Sequence, residues 1–451
     1  MESHYSKENS FATMPPGKLL FRLAPPVMLA FLIQALYNIV DSYFVGKNSD
    51  SGLAALSLIY PIQLLMTALG IGTGVGVNTL IARFNGEKNA EASDGTARTG
   101  SFLGFVNWLV FLVLIIPSLY LYIRYSAETE EIRRDAVAYG YFVCLGSLGL
   151  FMESIWTKIH QARGNMIVPL LAQIAGAVLN IILDPLLIFG LYGFPKWGVT
   201  GAAAATVAGQ CAAAVVTGFG GFAGRATKDH IRKFTLMIYR NALPSIVMQS
   251  LWTFYIFLLN LILTGFGPAA VIVLGLYYKL QTFFFIPLFG LQNCIVPLIS
   301  YNYAAGLYSR CRRILFLALT VSAAFMAVGI LMFTLMPAQL IEIFTHNRDV
   351  ITIGIPAFRI IAVSFVPVSL SLTLPLFFQA IGKGKESIAV TVVRQIFLLA
   401  PLGYLLSLYS LTAFWFTFPL SDILTVIFGL FLLKRVYKDF MREDSPVRRC
   451  P

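Results

Sequence analysis

The chain has 451 residues, of which 58% are hydrophobic and only 12% are charged, a composition that excludes an ordinary soluble globular protein and a disordered one. Its formal net charge of +12 could suit a nucleic acid. The basic residues are instead spread over short segments between long apolar stretches, so we expect a membrane protein without a nucleic-acid partner.

Twelve apolar stretches are long enough to cross a bilayer, since a spanning helix needs about 20 apolar residues. The fold predicted is all-α, with transmembrane spans near residues 20–46, 52–82, 99–123, 136–158, 166–190, 199–222, 237–265, 269–300, 313–337, 350–378, 386–409 and 412–433. Lys and Arg collect in the segments on one side. The positive-inside rule therefore predicts a multi-pass protein of the cell membrane with both termini in the cytoplasm.

The first span, residues 21–46, carries one polar stripe. Gln34, Tyr37, Asn38 and Asp41 follow each other at i, i+3, i+4 and i+7, so a helix places them on one face, which must face protein or water. An aspartate near the middle of a lipid-facing helix would cost about 2.5–3.5 kcal/mol. Asp41 is therefore a functional candidate, and a purely helix-packing role is the alternative.

Two prolines, Pro25 and Pro26, stand in the inner half of this span. A proline removes a backbone hydrogen bond and clashes with the preceding helical turn. The pattern predicts a bend or hinge at Pro26. The alternative is that the pair only begins the regular helix.

The fifth span carries a second polar pair, because Asn180 and Asp184 are one helical turn apart on the same face. Asp41 and Asp184 each lie roughly 8–9 Å below the outer surface on helices of the same direction, so they can share one site. Two close carboxylates in a low dielectric cannot both be ionised at little cost. Either one binds a proton, or both stay ionised around Na⁺ with Asn180 as a neutral ligand.

Three further polar residues lie within predicted spans. Glu153 is a candidate for binding a cationic substrate, and a helix-packing ion pair is the alternative. Lys279 is too deep to reach the interface easily, so we expect it to line a cavity with Gln281 or to pair with a carboxylate.

An internal repeat divides the chain, because motifs of the first half recur about 218 to 220 residues later. We predict an N-terminal tail (1–17), an N-lobe (18–222), a linker (223–236), a C-lobe (237–434) and a C-terminal tail (435–451). Each lobe has six spans, an even number, so both lobes start on the same side of the membrane. They are therefore related by a pseudo-two-fold axis along the membrane normal. Leu402 stands near the place of Asp184, so the ion site is expected in the N-lobe alone.

Five segments in order carry a family resemblance: YNIVDSYFVG, RFNGEKNAEA, QARGN, NIILDPLLIFG and GAAAAT. The chain resembles the multidrug and toxic compound extrusion (MATE) family, and most closely its MepA-like and DinF-like bacterial branch. The resemblance implies two lobes around a cavity and the export of amphipathic, often cationic drugs or metabolites in exchange for inward H⁺ or Na⁺. It implies ion coupling at Asp41, Asn180, Asp184 and Thr206, with a Na⁺ held at the first three in the sodium case.

Other classes fit less well. A flippase for lipid-linked substrates shares the scaffold, but its anionic substrates favour a strongly cationic cavity. A membrane enzyme needs clustered catalytic groups, whereas the four histidines are scattered. The five cysteines are also scattered, so neither a disulfide framework nor a metal cluster is expected. We expect a monomer in the lipid bilayer that is not an enzyme and carries no cofactor beyond its coupling ion.

Overall fold

The computed structural model describes the backbone of residues 10–443 and the side chains of residues 10–49 and 51–436. Within this part of the chain every regular element is a helix. Nine helices are long and apolar enough to span a membrane, and three bent helix pairs raise the number of crossings to as many as twelve. The predicted all-α, multi-pass fold is confirmed.

The helices of the first half are α1 (Pro16–Asn48), α2 (Asp50–Gly86), α3 (Ala90–Ser126), α4a (Glu130–Gly146), α4b (Leu148–Ala162), α5 (Ile167–Phe189) and α6 (Val199–Gly221). Those of the second half are α7 (Lys228–Thr264), α8a (Pro268–Phe284), α8b (Ile286–Ala304), α9 (Tyr308–Leu335), α10a (Arg348–Ala362), α10b (Phe365–Ala380), α11 (Gly384–Ser407) and α12 (Thr417–Glu443). Within α11, Val393–Leu399 form a π-helical segment.

The two halves repeat each other in register. The start of α2 at Asp50 and the start of α8a at Pro268 are 218 positions apart, and so are the ends of α2 and α8b at Gly86 and Ala304. The α4 pair and the α10 pair show the same shift at both ends. The positions of the helix ends therefore show the same duplication that the spacing of the motifs indicates.

Three spans are broken, with bends of 43° between α4a and α4b and 55° in both α8 and α10. Pro287 lies in the first turn of α8b, where its missing N–H explains the break at Phe285. In α4 and α10 a serine marks the break, since the hydroxyls of Ser147 and Ser364 each donate to the carbonyl three residues earlier at 2.7 Å.

Helix α1, in contrast, is one uninterrupted helix through Pro25 and Pro26. The predicted hinge at Pro26 therefore shows no break in this conformation. A functional hinge there remains a prediction.

The chain forms two compact units. One contains the described residues up to Met14 together with Phe21–Ser250, and the other contains Pro15–Leu20 and the residues from Leu251 onward. Residues 222–227 between α6 and α7 are not helical. Of the predicted tails, residues 1–9 and 444–451 lie outside the described residues.

Candidate functional site

The site begins with a close crossing of α5 and α6 in the first unit. A Cβ atom added at Gly176 would lie 2.9 Å from the carbonyl oxygen of Gly209, and one added at Gly209 would lie 2.7 Å from the carbonyl oxygen of Gly176. Any side chain here would push the backbones apart, so both positions require glycine. In membranes such small residues allow helices to pack by direct backbone contact. This crossing brings the polar residues of α5 against those of α6.

Asn180 connects the two helices. With its amide nitrogen facing Asp184, Nδ2 lies 3.2 Å from Oδ2 of Asp184, and Oδ1 accepts from the backbone N–H of Thr206 at 3.2 Å. These three residues are 2%, 0% and 6% exposed. The hydroxyl oxygen of Thr206 is buried and has no hydrogen-bond partner. The structure thus brings Asn180, Asp184 and Thr206 together, as the sequence suggested.

Asp41 of α1 completes an acidic pair. Its carboxyl group lies close enough to that of Asp184 for the two charges to influence each other, and Tyr37 and Tyr139 belong to the same neighbourhood. Oδ1 of Asp41 is buried and accepts no hydrogen bond. None of the ion pairs within the described residues involves Asp41 or Asp184. Among the described residues the pair therefore has no basic partner in an ion pair, which suits the binding of H⁺ or Na⁺.

A cavity of about 110 Å³ lies beside this pair, within the first unit. Four helices, α1, α4b, α5 and α6, supply its lining, which consists of Gln34, Tyr37, Leu150, Glu153, Gln173, Gly176, Ala177, Asn180, Thr206, Gly209, Gln210 and Ala213. Neither Asp41 nor Asp184 is part of this lining. Tyr37, Asn180 and Thr206 belong to both features and connect the cavity with the acidic pair.

The predicted cavity residues divide into two groups. Gln34, Tyr37 and Glu153 line the cavity. Asn38 is exposed and is not part of the lining, and its backbone carbonyl accepts a hydrogen bond from the hydroxyl of Ser42 at 2.9 Å. Lys279 and Gln281 belong to the second unit, and neither is part of the cavity's lining.

Lys279 is exposed, and its Nζ atom lies 5.9 Å from the centre of the Phe344 ring. Among the described residues no carboxylate forms an ion pair with it. Gln281 is 5% exposed. A role of either residue in substrate binding remains a prediction.

Two residues of the lining, Gln173 and Gln210, were not predicted from the sequence. The signal was present, because Gln173 continues the polar face of Asn180 and Asp184 at helical spacing, and Gln210 follows Thr206 by one turn. A neutral amide costs less than a charge inside a membrane span, so it is a weaker indication of a functional site.

In the second unit the corresponding positions carry different groups. The residues 218 positions after Glu153 and Gly176 are Ser371 and Arg394. Arg394 is 4% exposed and forms an ion pair with Asp422. The carboxylate of Asp184 is replaced by Leu402, in agreement with the expectation that the acidic pair belongs to the first half.

A duplicated bundle of membrane-spanning helices with a buried acidic pair and an adjoining cavity has the architecture of a secondary transporter. A family comparison agrees, because the MatE profile matches residues 26–186 and again 244–405. The chain belongs to the MatE family of membrane transporters.

The relatives are similar over nearly the whole chain. The multidrug export protein MepA of Staphylococcus aureus (strain MSSA476) is 23% identical over 460 residues, covering 96% of this chain and 97% of its own. A protein of Shewanella oneidensis named FAD transporter is 22% identical and covers 94% of this chain and 95% of its own.

Among solved structures, a transporter of the MOP superfamily from Pyrococcus furiosus superimposes with a TM-score of 0.89 at 22% identity. The match covers 96% of this chain and 98% of that one. The outward-facing structure of a multidrug resistance MATE transporter gives the same TM-score and coverage. At this level of identity the structural match establishes the shared fold.

Proposed function

We propose that this protein is a secondary active multidrug exporter, which moves amphipathic, mostly cationic small molecules out of the cell in exchange for inward H⁺ or Na⁺. It works as a monomer in the cell membrane with both termini in the cytoplasm, by alternating access of its cavity to the two sides. It acts as a carrier and performs no covalent chemistry.

The observation that carries this proposal is the acidic pair Asp41–Asp184 beside a cavity. Two carboxylates without a basic partner at membrane depth bind a cation or a proton, because an uncompensated charge in a low dielectric is costly. Asn180 donates to Asp184, and the hydroxyl oxygen of Thr206 is a neutral oxygen without a hydrogen-bond partner beside Asn180. Residues that serve both the pair and the cavity give ion binding a direct way to change the substrate site.

The coupling has the right magnitude. Each elementary charge moving inward contributes about 2.3 kcal/mol per 100 mV of membrane potential, enough to shift a two-state equilibrium more than tenfold. Ion binding at the acidic pair lowers the affinity for a cationic substrate, so that the substrate is released outside. Exchange in opposite directions follows from this antagonism.

The names of the relatives suggest two substrate classes, drugs and a flavin dinucleotide. The lining of the cavity favours the first class, because it contains Glu153 and no Lys or Arg. Phosphates are recognised by Arg and Lys. The same argument disfavours a flippase for anionic lipid-linked substrates.

The test is transport of ethidium by purified protein in proteoliposomes. A proton gradient and a sodium gradient are imposed separately, and an imposed gradient of one of them should drive ethidium against its own concentration. Asp41→Asn and Asp184→Asn, which keep the shape of the side chain but remove the charge, should abolish this uphill transport.

The matched control is Glu131→Gln, because Glu131 is an exposed carboxylate in the first turn of α4a. This variant should transport like the wild type. If neither gradient drives ethidium in the wild type, or if Asp41→Asn transports uphill at the normal rate, the proposal is wrong.

A further inference from the structure

Glu153 is the one acidic residue in the lining of the cavity. Its Oε1 atom accepts a hydrogen bond from the hydroxyl of Thr157 at 2.7 Å, one turn further along α4b. The basic group that acts on it is the buried Lys158, whose Nζ donates to Oε1 of Gln161 at 2.9 Å, and no basic residue within the described part of the chain forms an ion pair with Glu153. A carboxylate at this depth is stable when it holds a proton or faces a cation, so a cationic ligand can take the place of the proton.

The rest of the lining consists of hydrogen-bonding groups. Gln34, Gln173 and Gln210 place three amides around the cavity, and Asn180 adds a fourth. Oε1 of Gln210 and Oγ1 of Thr206 are buried without a hydrogen-bond partner. Buried acceptors are almost always satisfied in folded proteins, so these two oxygens require a donor that the protein does not supply.

A ligand that matches this lining therefore has one positive charge, which faces Glu153, and N–H groups that donate to the unpaired oxygens. A quaternary ammonium group has no N–H and is recognised instead by cages of aromatic rings. Tyr37 is the single aromatic residue in the lining. Protonated amines, amidinium and guanidinium groups have both required properties.

The size of the cavity sets a further limit. Gly176 and Gly209 belong to its lining and contribute no side-chain volume, and the volume of the cavity is about 110 Å³. This is room for a small polar head, several times the space that one water needs. The apolar part of an amphipathic molecule has to remain outside it.

We infer that this cavity is the head-group site of the exporter, and that Glu153 with Gln210 and Thr206 selects hydrogen-bond-donating cations over quaternary ammonium ions. The inference rests on the proposed function and adds a division of labour to it. The substrate charge meets Glu153, while the coupling ion meets Asp41 and Asp184, which are outside the lining. Asn180 and Tyr37 transmit the effect of one site to the other.

The experiment compares two probes that differ only in the ammonium head, 1-naphthylmethylammonium and its N,N,N-trimethyl analogue, in which three methyl groups replace the three N–H hydrogens. Equilibrium binding to the purified protein is followed by the naphthyl fluorescence. The wild type should bind the primary ammonium about tenfold more tightly, as expected for charge-assisted hydrogen bonds that the analogue cannot form. Equal affinities would overturn the inference.

Two variants locate the effect. Glu153→Gln should weaken binding of the primary ammonium about tenfold or more, and Gln210→Leu should reduce the preference for it without a change of charge. Glu131→Gln is the control with unchanged binding. Unchanged affinity in Glu153→Gln, or an unchanged preference in Gln210→Leu, would contradict the assignment.

The outcome is separable from that of the proposed function. Glu153→Gln should still show gradient-driven transport when the probe is saturating, because the acidic pair is intact, whereas Asp184→Asn should not. If the wild type transports nothing uphill, the proposed exporter is wrong, yet the binding preference can still be measured.

Discussion

The Nε atom of Arg394 lies 2.7 Å from Oδ1 of Asp422, and the two side chains are 5% and 1% exposed. The same carboxylate oxygen accepts from the hydroxyl of Ser371 at 2.8 Å. Arg394 lies within the π-helical segment of α11, Val393–Leu399, and its Nη1 atom has no hydrogen-bond partner. The second unit thus contains a buried charge pair that neutralises itself.

The first prediction concerns this pair. Asp422→Leu leaves the guanidinium of Arg394 buried without a counter-charge, so the free energy of unfolding should fall by about 3–5 kcal/mol. The double variant Arg394→Met with Asp422→Leu should regain most of this loss, because both charges are gone. Denaturation of the detergent-solubilised protein measures the difference.

The matched control is the pair Arg83–Glu87 on α2, whose side chains are 52% and 36% exposed at a distance of 2.9 Å. Its removal should cost at most about 1 kcal/mol. A double variant at Arg394 and Asp422 that is as unstable as the single one would show that packing, and not the unpaired charge, causes the loss.

The second prediction compares two buried amides in the two units. Asn180→Ala removes the group that donates to Asp184 and contacts Thr206, so gradient-driven transport should fall about tenfold or more. Gln395→Ala removes an amide oxygen that has no partner, and transport should change little. Initial rates in proteoliposomes are the measurement. A larger loss in Gln395→Ala would move the ion site to the second unit.

The third prediction tests the crossing of α5 and α6. Gly209→Ala places a Cβ atom 2.7 Å from the carbonyl oxygen of Gly176 and should lower the free energy of unfolding by about 1–3 kcal/mol. Gly275→Ala, in α8a with open space around it, should be neutral or stabilising by up to about 1 kcal/mol. Thermal unfolding of both variants provides the comparison. Equal stability would mean that the helices can separate without cost.

The fourth prediction concerns Pro26. Alanine restores the backbone hydrogen bond that the proline removes and makes α1 stiffer. If α1 bends during the cycle, Pro26→Ala should reduce the transport rate more than it reduces equilibrium binding of the same probe. Pro61→Ala is the control, since Pro61 also lies inside a helix, α2. A proportional loss of rate and affinity in Pro26→Ala would exclude a hinge.

Much of the fold could be predicted because its causes are local. Long apolar stretches specify the spans, and the repeat of motifs specifies the two halves. The breaks were harder to see. Pro287 could have indicated a break, but the apolar run around Phe285 continues without interruption and predicts one continuous span. Serines such as Ser147 and Ser364 also occur inside regular helices, so their presence does not predict a break.

The site was only partly predictable. Asp41, Asn180 and Asp184 stand out because polar groups at membrane depth are costly, and their spacing puts them on definite faces. Gln173 and Gln210 belong to the cavity only through the packing of α5 on α6, which depends on the contact between Gly176 and Gly209. Such a contact between distant residues is a tertiary property that no single helix reveals.

The equal spacing of the halves has an evolutionary consequence. Gly176 belongs to the lining of the cavity in one half, and the matching position of the other half carries Arg394, whose guanidinium forms an ion pair with Asp422. When two copies of a domain are products of a single unduplicated gene, as in a homodimer, every mutation changes both copies. Duplication followed by fusion removed that restriction, because each half now has its own coding sequence. One half could acquire a buried ion pair at the position where the other half keeps a residue of its cavity lining, while both kept the same spacing of helices.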